Sequence, residues 1–282
     1  MTLLDLHLGR PLTRGALTIF PVWDGHAVPA RGYDLGAEHV TVAERTGHAV
    51  VAELVVTNTG SRPVLVLEGE LFEGGQQHRV AARAVLVGAG ASQVLDVRCV
   101  EQGRWSGAAG HARSGRRAPL SVRSALDQGQ TWERVSRFVQ RYRTSATSSL
   151  LEATRDADQQ AAALVRGLRP LPNQCGVLLC LGGQPAQLES YDCPRTLAAV
   201  WEALLHAAAL DALSLAPVPT PGRRARRFLD QVGQLTLTGS AAGVGQLLQG
   251  DGPPARIESL CWHDRVVHTV AVNPRHEFGL AA

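Results

Sequence analysis

The stretch "VVAELVVTNTGSRPVLVLEGELFEGGQQHRV", Val50–Val80, decides the fold. Val50–Thr57 is rich in β-branched residues, and the "NTGSRP" that follows has the composition of a turn. Pro63 then opens "VLVLEGELF", which reads as a second strand pairing back across that turn. Strand side chains alternate between faces, so Glu68 and Glu70 share one side and Leu67, Gly69 and Leu71 the other. With the leucines in the core, the two glutamates line an outer face or a cleft. "EGGQQHRV" reads as a turn or bulge that brings Gln76 to Arg79 round beside the strand end. Beyond it, "VAARAVLVGAGA" and "SQVLDVRCVEQ" supply two further strands about a Gly-Ala-Gly turn. Short strands at this spacing predict an antiparallel sandwich or small barrel.

Residues 106–118, "SGAAGHARSGRRA", read as a mobile loop because small residues, glycine and arginine dominate them. Helical spacing of Trp132, Val135, Val139, Tyr142 and Ala146 then predicts a helix over about Thr131–Arg143. "TSATSSLLEATRDADQQAAALVRGL" predicts a second, capped by Thr147 or Ser148. "CGVLLCLGGQPAQLESYD" reads as two strands joined at Gly182-Gly183. Pro194 opens a helix whose stripe of Leu197, Val200, Trp201, Leu204, Leu205 and Ala208 faces a core. A short helix and strands near 234–238, 257–262 and 266–272 follow, while "GSAAGVGQLLQGDG" reads as a loop. The expected class is α+β: an N-terminal antiparallel sandwich or barrel-like half, residues 1–118, and a C-terminal mixed helix and sheet half, residues 119–282.

A chain of 282 residues with 45% hydrophobic and 19% charged residues has the composition of a globular protein. No apolar run approaches the roughly 18 residues of a membrane span. The start, "MTLLDLHLGRPLTRG", lacks a basic segment followed by an apolar core, so no secretory leader is expected. Five scattered cysteines without a CxxC pair read as reduced thiols in a cytoplasmic protein. All 28 basic residues are arginines, and the net charge is only +3. The clusters "RSGRR" (Arg113–Arg117) and "RRARR" (Arg223–Arg227) read as solvated segments, with a nucleic-acid patch as the alternative.

The residues that could carry chemistry fall in two places. Glu68 and Glu70 could divide acid and base roles, although two glutamates on a strand also make an ordinary solvated face. "CVEQGRW", Cys99–Trp105, adds Glu101 and Gln102 around Gly103, which permits a sharp turn or close approach to a ligand. Arg104 could bind phosphate or carboxylate, and Trp105 could stack on a base or sugar. The competing account is a buried Glu–Arg pair with Trp105 in the core. Histidine metal sites are not indicated: no HxH or HExxH occurs, and His263 and His268 read as surface or edge residues. No dinucleotide fingerprint, phosphate loop or nucleophile elbow is present.

"LVVTNTGSRPVLVLEGELFEGGQQHR" followed by "CVEQGRW" resembles a domain of unknown function associated with ADP-ribosylglycohydrolase and rhodanese-phosphatase proteins, and the likeness runs nearly full length. The resemblance places its polar signature on Gly69, Glu70, Gly75, Gln77, Arg79, Glu101, Gln102, Gly103, Arg104 and Trp105. His78 stands where the family usually has asparagine. The resemblance implies a link to NAD-derived or ADP-ribose metabolism. The expected function is therefore binding of a nucleotide- or ADP-ribose-type small molecule, with hydrolysis or group transfer as an extension. Glu70 and Glu101 are the candidate catalytic pair. Gln77, His78, Arg79, Gln102, Arg104 and Trp105 are the ligand-binding candidates, with no metal assigned and the cofactor unknown. A non-catalytic scaffold or sensor and a nucleic-acid binder are the rival readings.

Overall fold

The computed structural model describes residues 5–47 and 49–278, so the leader expectation rests partly on residues 1–4, outside the described residues. The class is α+β, with a closed six-strand barrel, antiparallel sheets, and helices concentrated in the C-terminal half. The chain forms two compact units, Gly32–Gln160 and Met1–Arg31 together with Ala161–Ala282. The expected boundary at 118/119 falls inside the first of these.

Strands β1 (Leu6–Leu8), β2 (Leu12–Arg14) and β3 (Leu17–Asp24) belong to the split unit. The continuous unit then holds β4 (Val40–Ala43), β5 (Glu53–Asn58), β6 (Val64–Val66), β7 (Glu70–Gly74), β8 (Arg79–Ala81), β9 (Val85–Val87), β10 (Ser92–Cys99) and β11 (Gly110–Arg117). The barrel closes in the order β10-β5-β4-β11-β7-β8, and β6 pairs with β9 alone. Alternation does what the sequence requires of it in β5 and β10. Leu54, Val56, Leu95, Val97 and Cys99 are buried, whereas Val94, next to Leu95 on the other face, is exposed.

Several expectations about this unit are corrected. "VLVLEGELF" is two strands, because Gly69 adopts φ +79° and breaks the run between β6 and β7. A Cβ at Gly69 would also lie 2.4 Å from Cδ of Arg123, so the turn needs glycine. β6 consequently pairs with β9, and β5 pairs with β4 and β10 instead of back across the turn. Much of the expected mobile loop at 106–118 is strand β11, paired with β4 and β7. Its arginines are drawn inward by carboxylates, which composition could not show. Arg113 Nε donates to Glu70 Oε1 at 2.6 Å, and Arg113 Nη2 to Glu70 Oε2 at 3.0 Å. Glu68 lies 3.6 Å from Arg117 Nη2 and 3.1 Å from Arg123 Nη1. Glu68 and Glu70 are thus buried ion-pair partners, not a solvated face or cleft lining.

Helices α1 (Leu120–Arg123), α2 (Gln128–Arg141) and α3 (Leu150–Thr154) follow, and α4 (Asp158–Val165) begins at the end of this unit. Asp127 caps α2 by accepting from the Gln130 N–H. The second expected helix is two short ones, α3 and α4, and its cap is Ser149 instead of Thr147 or Ser148.

In the split unit β12 (Gly176–Leu181) and β13 (Gln184–Tyr191) form the hairpin expected at Gly182-Gly183. Helices α5 (Pro194–Ala212) and α6 (Gly222–Val232) precede β14 (Thr238–Ala242), β15 (Gly245–Asp251), β16 (Arg256–Trp262) and β17 (Arg265–Val272). They make a nine-stranded sheet ordered β1-β3-β12-β13-β17-β16-β15-β14, with β2 added to β3. The glycine run expected as a loop is mostly the β14–β15 hairpin. α6 packs Ala225, Phe228 and Val232 against Phe20, Leu178, Leu188 and Ala271. Its arginines lie on the outer face, as expected of a solvated helix. His268, expected at a surface or edge, is buried: its Nε2 lies 3.2 Å from Glu189 Oε1, which also accepts from Tyr191 at 2.5 Å. All five cysteines are free. No described helix is long and apolar enough to cross a membrane.

Candidate functional site

The site is built at one end of the barrel in Gly32–Gln160. Register sets its centre: Arg79 on β8 is opposite Cys99 on β10 and Phe72 on β7. Residues opposite in a ladder share a face, so Arg79 projects inward with the buried Cys99 and Phe72. Its side chain is 0% exposed, the largest fully buried side chain among the described residues. Nη1 donates to Gln77 Oε1 at 3.1 Å, while Nε and Nη2 have no hydrogen-bond partner. These two N–H groups form the guanidinium's parallel, fork-like edge. Nη2 is 3.8 Å from Glu44 Oε1, an ion-pair distance. The Trp105 ring covers the group, with its centroid 5.7 Å from Arg79 Cζ. Trp105 is itself 51% exposed, so it is not the core residue of the competing account.

Glu101 is the second centre. Its Oε2 accepts from the His78 N–H at 3.0 Å and Arg104 Nη2 at 2.6 Å, and its Oε1 from Thr147 Oγ1 at 2.9 Å. Burial pushes the carboxyl up, but the bonds from Arg104, His78 and Thr147 outweigh it and hold Glu101 below its ordinary value. Arg104 also donates to the carbonyls of Gly75, Ser106 and Gly74 at 2.7, 2.8 and 3.2 Å. The bond to Glu101 raises its pKa, which keeps the ion pair charged. Arg104 therefore ties segment 101–107 to the end of β7. Gly103 makes the same attachment from the other side: a Cβ there would meet Thr147 Cα at 2.9 Å, and its N–H donates to Thr147 O at 2.8 Å. The close approach allowed by Gly103 is to the chain itself.

Gln77 donates to the carbonyls of Glu101 and Gln102 at 2.9 and 3.3 Å, so its carboxamide joins Arg79 to the second motif. His78 Nδ1 accepts from the Gly74 N–H at 3.0 Å, which makes the ring neutral with its proton on Nε2. Burial lowers its pKa against the opposing pull of Glu101. An asparagine oxygen at this position could accept the same N–H. Gln102 contributes its backbone carbonyl to Gln77 and is otherwise exposed.

Glu44, His111, Thr147 and Cys99 also belong to the site, although none of them was a site candidate from the sequence. Glu44 Oε1 accepts from the Gln76 N–H at 3.2 Å and lies 3.1 Å from His111 Nε2. Burial lowers the His111 pKa despite Glu44. The Cys99 thiol donates to Glu101 O at 3.3 Å, and burial pushes its pKa up. A signal for Glu44 was available: it follows "VTVA", two positions after the inward Val42, and so falls on the same face. The structure thus gathers Gln77, His78, Arg79, Glu101, Arg104 and Trp105 into one cluster. It places Glu70 in the separate Arg113 pair, farther down β7. Among the described residues no group of histidine, cysteine, aspartate and glutamate is arranged to hold a metal ion.

This is an α+β protein whose barrel carries a buried, incompletely paired polar cluster at its end. Residues 5–272 match the model of the ARG and Rhodanese-Phosphatase-superfamily-associated Protein domain, and the chain belongs to that family. The family is associated with ADP-ribosylglycohydrolase and rhodanese-phosphatase superfamily proteins. No curated protein and no solved structure matches the chain.

Proposed function

We propose that this end of the barrel binds a nucleotide-type small molecule of the ADP-ribose kind, in the processing of NAD-derived metabolites. The observation that carries the reading is the free edge of Arg79. A buried N–H without a partner costs on the order of 1–3 kcal/mol, and more on a charged group, so a ligand that fills the edge recovers that free energy. Trp105 lies directly over Arg79 and presents a large exposed ring for a base or sugar to stack on, once it swings aside to admit the polar end. The family's association with ADP-ribose-related proteins supports the same ligand class. The free cysteines suit a reducing cytoplasmic setting.

The polar signature divides by role. Glu70, with both oxygens on Arg113, and Arg104, spread over three carbonyls and Glu101, hold the structure. To that extent the scaffold reading describes part of the motif. Glu101 is a fixed carboxylate with three donors, better suited to positioning His78 and the 101–107 segment than to giving up a proton. Arg79 and Trp105 are the ligand-facing pair. With Arg113 and Arg117 turned inward, the first arginine cluster offers only Arg116 to a nucleic acid, which favours the small-molecule reading.

Calorimetric titration of the full chain with ADP-ribose, NAD and a single-stranded oligonucleotide, at two salt concentrations, tests the reading. ADP-ribose or NAD is expected to bind with weak salt dependence, and Arg79→Lys, which lacks the fork, to bind at least tenfold more weakly. Binding of the oligonucleotide alone, falling steeply with salt, would show a nucleic-acid binder instead.

A further inference from the structure

Glu44 lies beside Arg79 and, like it, keeps a buried polar atom without a partner. The residue is 8% exposed, and Oε1 is engaged by Gln76 and His111 while Oε2 has no hydrogen-bond partner. A buried acceptor on a carboxylate therefore lies beside two buried donors on a guanidinium, with 3.8 Å between the nearest atoms of the two groups. Neither group satisfies the other: the separation exceeds hydrogen-bond length, and the free atoms on each side remain unused.

We propose, resting on the binding site described above, that Glu44 and Arg79 together read a neutral ligand group carrying an acceptor and a donor side by side. The vicinal diol of a sugar has this chemistry, and a primary carboxamide shares it. One oxygen takes the N–H groups of Arg79, and an O–H or N–H of the same group donates to Glu44 Oε2. A phosphate would satisfy Arg79 but bring a second anion against a buried carboxylate, where charge repulsion is stronger than at the surface. The other local cation offers no relief, since Arg104 is committed to Glu101 and three carbonyls. Arg79 and Glu44 cancel in charge, so the element selects by hydrogen-bond pattern, and a group lacking either half leaves a buried atom unpaired. The sugar end of the ligand is then the deep end, and its phosphates lie outside.

The experiment titrates the full chain, by calorimetry, with ADP-ribose, with periodate-cleaved ADP-ribose whose diols are opened, with nicotinamide and with inorganic pyrophosphate. Intact ADP-ribose is expected to bind at least tenfold more tightly than the cleaved form, with no measurable pyrophosphate binding. Glu44→Gln should weaken ADP-ribose at least tenfold and allow pyrophosphate to bind, because Arg79 is then uncompensated. A purely structural role for Glu44 would not produce that reversal. Nicotinamide binding that depends on Glu44, with diol cleavage without effect, would assign the carboxamide as the source of the same chemistry. The comparison of ligands on the parent needs no variant and holds even where Glu44→Gln fails to fold. ADP-ribose bound equally with and without its diols, with no nicotinamide binding, overturns this inference and leaves the binding site standing. Pyrophosphate bound by the parent as tightly as ADP-ribose does the same. Failure of the parent to bind ADP-ribose or nicotinamide overturns both.

Discussion

Replacing Arg104 by lysine tests whether this residue is a structural tie. Its guanidinium makes four hydrogen bonds, to Glu101 Oε2 and to the carbonyls of Gly74, Gly75 and Ser106, from two nitrogens. A lysine ammonium is a single point on a flexible stem and cannot span four acceptors set out for a planar fork. It would keep the charge beside Glu101 and one further acceptor, leaving about two bonds unmade. At roughly 1 kcal/mol net for each, Arg104→Lys should cost about 2 kcal/mol, with the partial exposure of this side chain keeping the figure from rising further. The loss should be local before it is global, because the tied segment crosses to β7 and Thr147 through few other bonds. Amide hydrogen exchange reads it directly. Gly103 N–H, bonded to Thr147 O, and Ser106 N–H, bonded to Gln76 O, should open about 30-fold more often, the equivalent of about 2 kcal/mol. Unchanged exchange at these amides, together with an unchanged urea midpoint, would refute the reasoning and return Arg104 to the ligand-binding set.

Acid should weaken the fold in two windows. His78 and His111 have folded pKa values below 6.5, so the unfolded chain binds their protons first, and stability declines as pH falls below that value. Glu101, depressed from 4.5, contributes stability that is complete above that value and lost as pH drops through its lower folded pKa. A urea midpoint that stays level from pH 7 to pH 4 would contradict the histidine window, and one that stays level below pH 4 the Glu101 window; His78→Asn should remove its share of the upper window while keeping an acceptor for the Gly74 N–H. Gly103→Ala should destabilise by about 1–3 kcal/mol, since the new methyl meets the Thr147 backbone and that segment must shift; thermal unfolding at or above the parent midpoint would show that the approach is not tight. In native thiol titration Cys261, the half-buried cysteine, should react first. Cys99, Cys175, Cys180 and Cys193, all at 0% exposure, should wait for unfolding, and fast modification of Cys99 would mark it as an activated nucleophile.

The sequence by itself determined the elements whose periodicity is local. The β-branched part of Val50–Thr57, strand from Glu53 onward, and "SQVLDVRC" had to be strands, the stripe after Pro194 had to be a core helix, and Gly182-Gly183 had to turn a hairpin. The α+β class and the barrel-like first half follow from that patterning and were legible before any coordinates. So was the family signature, because its members lie in two short motifs. Only the tertiary structure decided how those residues are used. The arginines of "RSGRR" look solvated by composition, yet Arg113 and Arg117 turn inward because Glu70 and Glu68 are buried on neighbouring segments. Glu68 and Glu70 cannot be a solvated pair once Gly69 leaves the extended region, a conformation that one-residue alternation does not anticipate. Arg79 and Arg104 read alike in the sequence as ligand-binding candidates, but Arg104 spreads two nitrogens over four acceptors of the chain, while one edge of Arg79 finds none. Glu44, just past the end of β4, entered the site from more than 30 positions away. Pairing of buried charge is set by which strands become neighbours, and that depends on long-range register, which alternation within a single strand does not encode.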